Sequence, residues 1–388
     1  MGVCCTSEAS SFRIISPELY AAWTVIGLAP TEGEAASETS SANTQCCQER
    51  KPVLRSAIWF LIIALITAVV SYFQEDWNVR EWELATVAYM FQKWIGRAGM
   101  LLTYGTCATA GLQHLQSFMR ALRFADKCLG KNERVNWKKT LGNIVVVTYY
   151  VVTSSILLVA QKDYRETYSG LSLVVVVFFK TMVTMQFVFL VLELWERFQS
   201  VNARIRELLP PLSVPELRAV LGHELGDVSP QADSGRLRQL REAYLVLMHA
   251  AETLQQHFGL PLALIIAGCV GGTTFFAYDV VSSGGKRHSP FEWSIMSGLW
   301  MVHHSLQLVA VSLACAATVD SAAYTGPLLL RASALCDWRG PELDAFMQLT
   351  LRGPRLQFSA AGLVVIDRRL LVSALAVVVT YLVILRQQ

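Results

Sequence analysis

The stretch FSAAGLVVIDRRLLVSALAVVVTYLVILRQQ, Phe358 to Gln388, decides the reading of this chain. Its apolar run climbs from Leu370 to Leu385, and only Arg386, Gln387 and Gln388 follow. A helix that spans a bilayer needs about 20 apolar residues. The run comes close to that length. Asp367, Arg368 and Arg369 put charge at its start, and amides stand at its end. The stretch predicts a membrane helix whose last residues emerge just outside the hydrocarbon.

The rest of the composition agrees. Of 388 residues, 53% are hydrophobic and 16% charged, and the mean hydropathy is +0.39. Soluble domains carry about a quarter charged residues. Apolar excess collected in long runs describes a polytopic membrane protein. A net charge of +3 does not suggest a nucleic-acid binder. No basic stretch followed by a short apolar one opens the chain, so no cleaved signal peptide is expected. Nine cysteines are present, none at zinc-ligand spacing, and free thiols are expected.

Residues 1–52 read as a cytosolic arm, partly disordered, since 31–41 are Glu, Ala, Ser, Thr and one Gly without apolar period. Its start, Met1-Gly-Val-Cys-Cys-Thr6, fits the N-myristoylation frame, with Cys4 and Cys5 as palmitoyl candidates. The frame is short enough to arise by chance. Seven spans follow: Ala57–Phe73, a long one from Leu84 past Gly111, Ile144–Val159, Leu171–Leu194, Phe258–Val281, Ile295–Ala317 and Leu370–Leu385. Spans one to six with a ligand pocket make up residues 53–322. An anchor segment and the seventh helix make up 323–388.

Basic residues orient the spans. Arg120, Arg123, Lys127, Lys131, Arg134, Lys138 and Lys139 crowd the two–three loop, and the four–five and six–seven linkers are also rich in arginine. The alternate loops are acidic, balanced or nearly free of charge. The positive-inside rule then places the N-terminus in the cytosol and the C-terminus outside. Residues 195–256 read as cytosolic helical extensions, because Arg197–Leu209 and Arg236–Gln256 have helical spacing with no internal proline or glycine. Pro210, Pro211 and Pro215 break between them.

Several motifs in order resemble the insect gustatory receptor family, whose members end in Thr-Tyr, five hydrophobic residues and Gln-Phe. Here Thr380 and Tyr381 are followed by Leu382, Val383, Ile384, Leu385 and Arg386, then Gln387 and Gln388. Arg386 stands in for the fifth hydrophobe and Gln388 for the Phe. Phe358-Ser-Ala-Ala-Gly362 and Val365-Ile-Asp-Arg-Arg-Leu370 are similar to the family's lead into its seventh helix. Ala323-Tyr-Thr-Gly-Pro-Leu-Leu329 resembles the stretch after its sixth. Arg197-Phe-Gln-Ser-Val-Asn202, Leu240-Arg-Glu-Ala-Tyr244 and Phe258-Gly-Leu-Pro-Leu262 are similar to its four–five linker and fifth helix. The resemblance covers roughly Leu54 to Gln388. It implies an all-α fold with helix seven lining a central tetrameric pore, in the plasma membrane of a sensory dendrite.

Helical spacing puts Thr380, Ile384, Gln387 and Gln388 on one stripe. The resemblance places the family's gate there, where an apolar ring blocks ions by dewetting and amides meet a hydrated cation. The same glutamines also fit a helix end meeting water. Arg386, about 200° from Ile384, should face away from the axis and reach the headgroups.

Charges inside membrane spans are costly and line cavities or find partners. Lys93 and Arg97 on span two and Lys180 on span four are such charges. Span six carries Trp300, His303, His304 and Gln307. Tyr89 and Trp94 on span two and Thr274 and Tyr278 on span five lie at similar depth. Aromatic planes with hydrogen-bonding neighbours suit small molecules, so these eleven residues form the expected pocket. Taken singly, each also fits plain helix packing. His303 and His304 diverge on a helix and make a poor metal pair, and neither metal nor cofactor is expected. No nucleotide-binding, nucleophile-elbow or zinc-protease motif is present, so an enzyme is not expected. The resulting expectation is a tastant-gated nonselective cation channel, a homotetramer or heteromer whose partners are tastant, cations and lipid. A seven-helix receptor signalling through a cytosolic partner, or a transporter, stays open.

Overall fold

The computed structural model describes residues 58, 61–62, 64–65, 84–106, 112–130, 164–208, 234–282, 290–336 and 340–387. The N-terminal arm, most of span one, all of span three and the proline-rich part of the four–five linker lie outside them. The elements run α1 (Leu84–Thr106), α2 (Leu112–Leu129), α3 (Tyr164–Glu207), α4 (Ser234–Ser282), α5 (Pro290–Cys336), α6 (Pro341–Arg352), β1 (Ser359–Ala360), β2 (Val364–Val365) and α7 (Arg368–Gln387). Among the described residues, Phe178–Glu207, Gly235–Val281 and Ser297–Ser333 are long and apolar enough to cross a membrane.

The centre is α4, against which α1, α2, α3, α5, α6, α7 and β1 all pack. Its sequence explains this. Leu237, Leu240, Tyr244, Leu247, Ala251, Leu254, Phe258, Leu262, Ile265 and Cys269 are all buried. They recur every three or four residues, the spacing that keeps one face of a helix inward over many turns. Pro261 sits inside the helix.

Neighbours hold fixed registers on α4. A side chain added at Gly99 would lie 3.5 Å from Leu264, and one added at Gly268 would lie 3.4 Å from Ile95, so α1 runs antiparallel and close. Phe187 meets Phe258 at 5.5 Å and Phe198 meets Tyr244 at 5.6 Å, so α3 is antiparallel too. On the far side, α5 runs parallel to α3. Gln307 bonds Thr181, Thr318 bonds the Val191 carbonyl, and Thr325 bonds Asn202.

The four–five linker reads as helix from its spacing, and it is helix: α3 continues through Arg197 to Glu207 and α4 starts at Ser234. A buried ion cluster fastens this part. Arg197, 3% exposed, donates to Glu193 at 2.6 Å and to Asp126 of α2 at 2.7 Å. Asn202 donates to the Ser321 carbonyl at 2.8 Å and accepts from Thr325 at 2.8 Å.

Two boundaries differ from the sequence expectation. The sixth span, expected to end at Ala317, continues as helix to Cys336, so Ala323–Leu329 lies inside α5. Pro327 lacks the N–H that would close its turn. In the turn before it the carbonyls of Ser321 and Ala322 accept from Asn202 of α3 and Tyr244 of α4, which fasten that turn to its neighbours. A small hairpin interrupts the otherwise all-α arrangement before α7. Ser359 pairs with Val365 and Ala360 with Val364. Its turn closes with Leu363 N–H donating to Ala360 O at 2.9 Å. Ala361 (φ 53) and Gly362 (φ 73) are both left-handed, as tight hairpin turns require.

The hairpin lies on Gly259 of α4, where an added side chain would come within 3.3 Å of the Ala361 backbone nitrogen. Phe358 is buried against Phe187, and Gln255 donates to Ser359 at 2.6 Å. Asp367 then caps α7, accepting from the Arg369 and Leu370 amides at 2.8 and 3.1 Å. Loss of such a cap costs about 1 kcal/mol. Asp367→Ala is expected to lower thermal stability by that amount in detergent-purified protein, while Asp367→Asn, which also caps, stays near wild type.

Cys128, Cys269 and Cys315 are free thiols. Burial, helped by the Glu242 carboxylate, pushes the Cys128 thiol above its usual range.

Candidate functional site

At the end of the bundle away from the hairpin, the α4–α5 register brings polar and aromatic groups together inside membrane-spanning helices. Cys269 faces Gln307, Phe276 faces Trp300, and Asp279 faces Ser297. Each step along one helix is matched by an equal step back along the other, so all three pairs lie on one seam.

The outer part of the seam is a slab of rings. Phe276 is nearly parallel to Trp300 (5.9 Å, 13°) and to His304 (5.8 Å, 15°). Trp300 and His304 are 6.1 Å apart at 25°, and His303 meets Trp300 edge-on at 5.7 Å. Trp300, His303 and His304 are buried, and Phe276 is half-buried. Offset near-parallel rings at such separations attract through dispersion and their quadrupoles.

The inner part is polar. Gln307 donates to Thr181 at 2.5 Å, lies 3.2 Å from His303 Nε2, and accepts from Cys269 at 3.4 Å. Gln307, Thr181 and Cys269 are all buried, and each hydrogen bond here replaces one lost to water. Lys180, the residue before Thr181, reaches the same level. Its amine would lie 3.3 Å from a side chain added at Gly268.

The expected pocket residues divide as follows. Lys180, Trp300, His303, His304 and Gln307 come together. Arg97 is buried on α1 with its guanidinium 5.4 Å from the Trp94 ring. Trp94 itself is 56% exposed. Thr274 is half-buried, with its hydroxyl bonded to its own helix at Val270. Tyr278 is half-buried on α4. Tyr89 and Lys93 lie in α1, and their side chains are outside the described residues.

Sequence reading missed Phe276, Thr181, Cys269 and the Asp279–Ser297 pair. An acidic residue near the end of an apolar span was the one available signal, and Asp279 carried it. The other three are ordinary span residues whose roles depend on register. Among the described residues, no group of three or more His, Cys, Asp or Glu is placed to hold a metal ion.

A second feature is α7. Ala374 and Val378 are buried, whereas Val372, Leu375, Val379, Tyr381, Val383 and Ile384 are exposed. Thr380 is exposed, with its hydroxyl bonded to its own helix at Ala376. Two residues turn a helix by about 200°, so Thr380 lies opposite Val378. Thr380 and Ile384 therefore face away from the other described residues. Gln387 ends the helix; its side chain and Gln388 lie outside the described residues.

The fold is similar to the insect olfactory receptor OR5 from Machilis hrabei, with a TM-score of 0.64 at 12% identity over 95% of this chain and 96% of that one. The same receptor solved in complex with eugenol gives a TM-score of 0.62 at 13% identity over 95% of each chain. A search of curated protein sequences finds no match. The sequence profile of the 7tm chemosensory receptors matches residues 19–388. A match over nearly the whole length, reinforced by an independent likeness of fold, means that this chain belongs to the 7tm chemosensory receptor family.

Proposed function

We propose that the protein is a gustatory-type chemoreceptor: a nonselective cation channel opened by a small tastant at the Trp300–His304 seam. It assembles as a homotetramer in the plasma membrane, with α7 of each copy around the axis. The observation that carries this reading is the exposure of α7. A capped apolar helix that buries only a thin stripe and shows the opposite face, Thr380 and Ile384, suits lipid on its flanks and other copies on that face. Ile384 in a ring would close the path by dewetting. The arginine-rich ends of α3 and α4 would pack as a cytosolic anchor, with the C-terminus outside.

Ligand binding biases such a channel only if the ligand prefers the open arrangement. The seam spans α3, α4 and α5, so a ligand held there contacts helices whose relative shift would be felt at α7, which packs on α4 and α5. The structure of the Machilis receptor with eugenol supports a small aromatic molecule as the ligand class.

The test is whole-cell recording from cells without other chemoreceptors, with G-protein signalling blocked. Ligand-evoked cation current that persists under block is expected, and Ile384→Gln should raise the basal current severalfold. Trp300→Ala should shift the ligand response about tenfold or more, the scale of one lost ring contact plus its buried area. Current that vanishes under the block, or substrate uptake without current, overturns the proposal.

A further inference from the structure

Lys180 has a chemistry that the rest of the seam does not explain. An ammonium among membrane-spanning helices normally has a carboxylate beside it or points to water. Here it is half-buried, its amine against Gly268. Among the described residues, the nearest carboxylates along these helices are engaged elsewhere. Glu193 holds Arg197 and lies about 20 Å further along α3 at the helical rise. Asp279 accepts from Ser297 and lies about 16 Å along α4 from Gly268. Both distances exceed the reach of a lysine side chain. The neighbours at the amine's own level, Thr181, Gln307, His303 and Cys269, carry no negative charge.

The amine and the rings are also spaced in a useful way. Phe276 is about 12 Å along α4 from Gly268, and His304 lies between them on the facing helix. The Lys180 amine stands at the Gly268 end of that distance. The whole span is therefore left for an aromatic ring joined to an anionic group by a short chain. Phe276 is half-buried, so part of its ring is left uncovered by the described residues.

We propose that Lys180 makes this seam a receptor for small aryl-alkanoate ligands. The ring lies against Phe276, Trp300 and His304, and the carboxylate pairs with the Lys180 amine. This rests on the seam being the tastant site. A neutral ester of the same shape keeps the ring contacts but leaves the amine without a counter-charge, so the site discriminates by charge as well as shape.

The experiment compares 3-phenylpropanoate with methyl 3-phenylpropanoate on the full chain. Evoked current is one readout, and thermal stabilisation of the purified protein is a second that needs no channel opening. In wild type the acid should act at least tenfold below the ester. Lys180→Gln should raise the acid's effective concentration at least tenfold, leave the ester's unchanged and keep surface expression. Lys180→Arg should retain most of the preference. An acid no better than its ester, or a Lys180→Gln shift equal for both compounds, overturns the proposal. If the ester response still depends on Trp300 in that case, the seam remains the ligand site and only the charge reading falls. If neither compound's effect depends on Trp300, or neither has any effect, both readings fall.

Discussion

Arg197→Met is expected to lower the stability of the folded protein by about 3–5 kcal/mol, the usual consequence of removing one partner from a buried ion cluster. Arg197 is 3% exposed and serves two carboxylates, Glu193 and Asp126, as well as the Glu193 carbonyl. Methionine fills the volume but supplies no charge. Glu193, itself 9% exposed, must then take up a proton or draw water between α2 and α3. Thermal unfolding of detergent-purified protein should show the loss. Adding Glu193→Gln and Asp126→Asn should restore much of it, because the residual charges disappear together. Arg204→Met is the control. Arg204 also pairs with an acid, Glu207, but both are at least half exposed, and such pairs contribute about 1 kcal/mol or less. Equal losses at Arg197 and Arg204 would refute the account of a buried cluster.

Phe358→Ala should be comparably severe, at about 3–5 kcal/mol for a buried aromatic side chain. Phe358 is 1% exposed and meets Phe187 edge-on at 6.4 Å, with Phe258 on the other side of Phe187. It is the residue that presses the hairpin onto α4. Without it the hairpin loses its largest apolar contact, keeping buried Ala360 and Ile366, the Gln255–Ser359 bond and the close approach at Gly259, and α7 loses support at its base. Limited proteolysis between Arg355 and Asp367 should accelerate along with the drop in thermal stability. Leu363→Ala, at a side chain 79% exposed on the same hairpin, should change neither. If the two variants behave alike, the hairpin is not held by its aromatic plug.

Much of the architecture could be read without coordinates. Long apolar runs announce membrane helices because the bilayer imposes a length. Leucine and aromatic residues every three or four positions from Leu237 to Cys269 announce one buried face because a helix turns every 3.6 residues. The proline cluster at 210–215 marks the gap between two helices that do continue through the linker. The hairpin was invisible by comparison. Strands of two residues have no period to detect, and Ala361 at positive φ breaks the local preference that would have announced a turn. The extension of α5 through Gly326 and Pro327 was hidden for a related reason, since both residues argue locally for a break.

The pocket residues show the same division. Their kinds and approximate depth were legible: intramembrane Lys180 and Arg97, and Trp300, His303, His304 and Gln307 at helical spacing. Their grouping was not, and neither was Trp94's exposure, because rotation about a helix axis is set by neighbouring helices. Composition, spacing and short motifs along one chain carry the order and apolar faces of the helices, together with the family. The register between α3, α4 and α5, which bonds Thr181 to Gln307 and stacks Phe276 on His304, comes only from the packed bundle. That register depends on close packing between residues distant in the chain, such as Gly268 against Lys180 and Gly259 against the hairpin, and no local pattern encodes it.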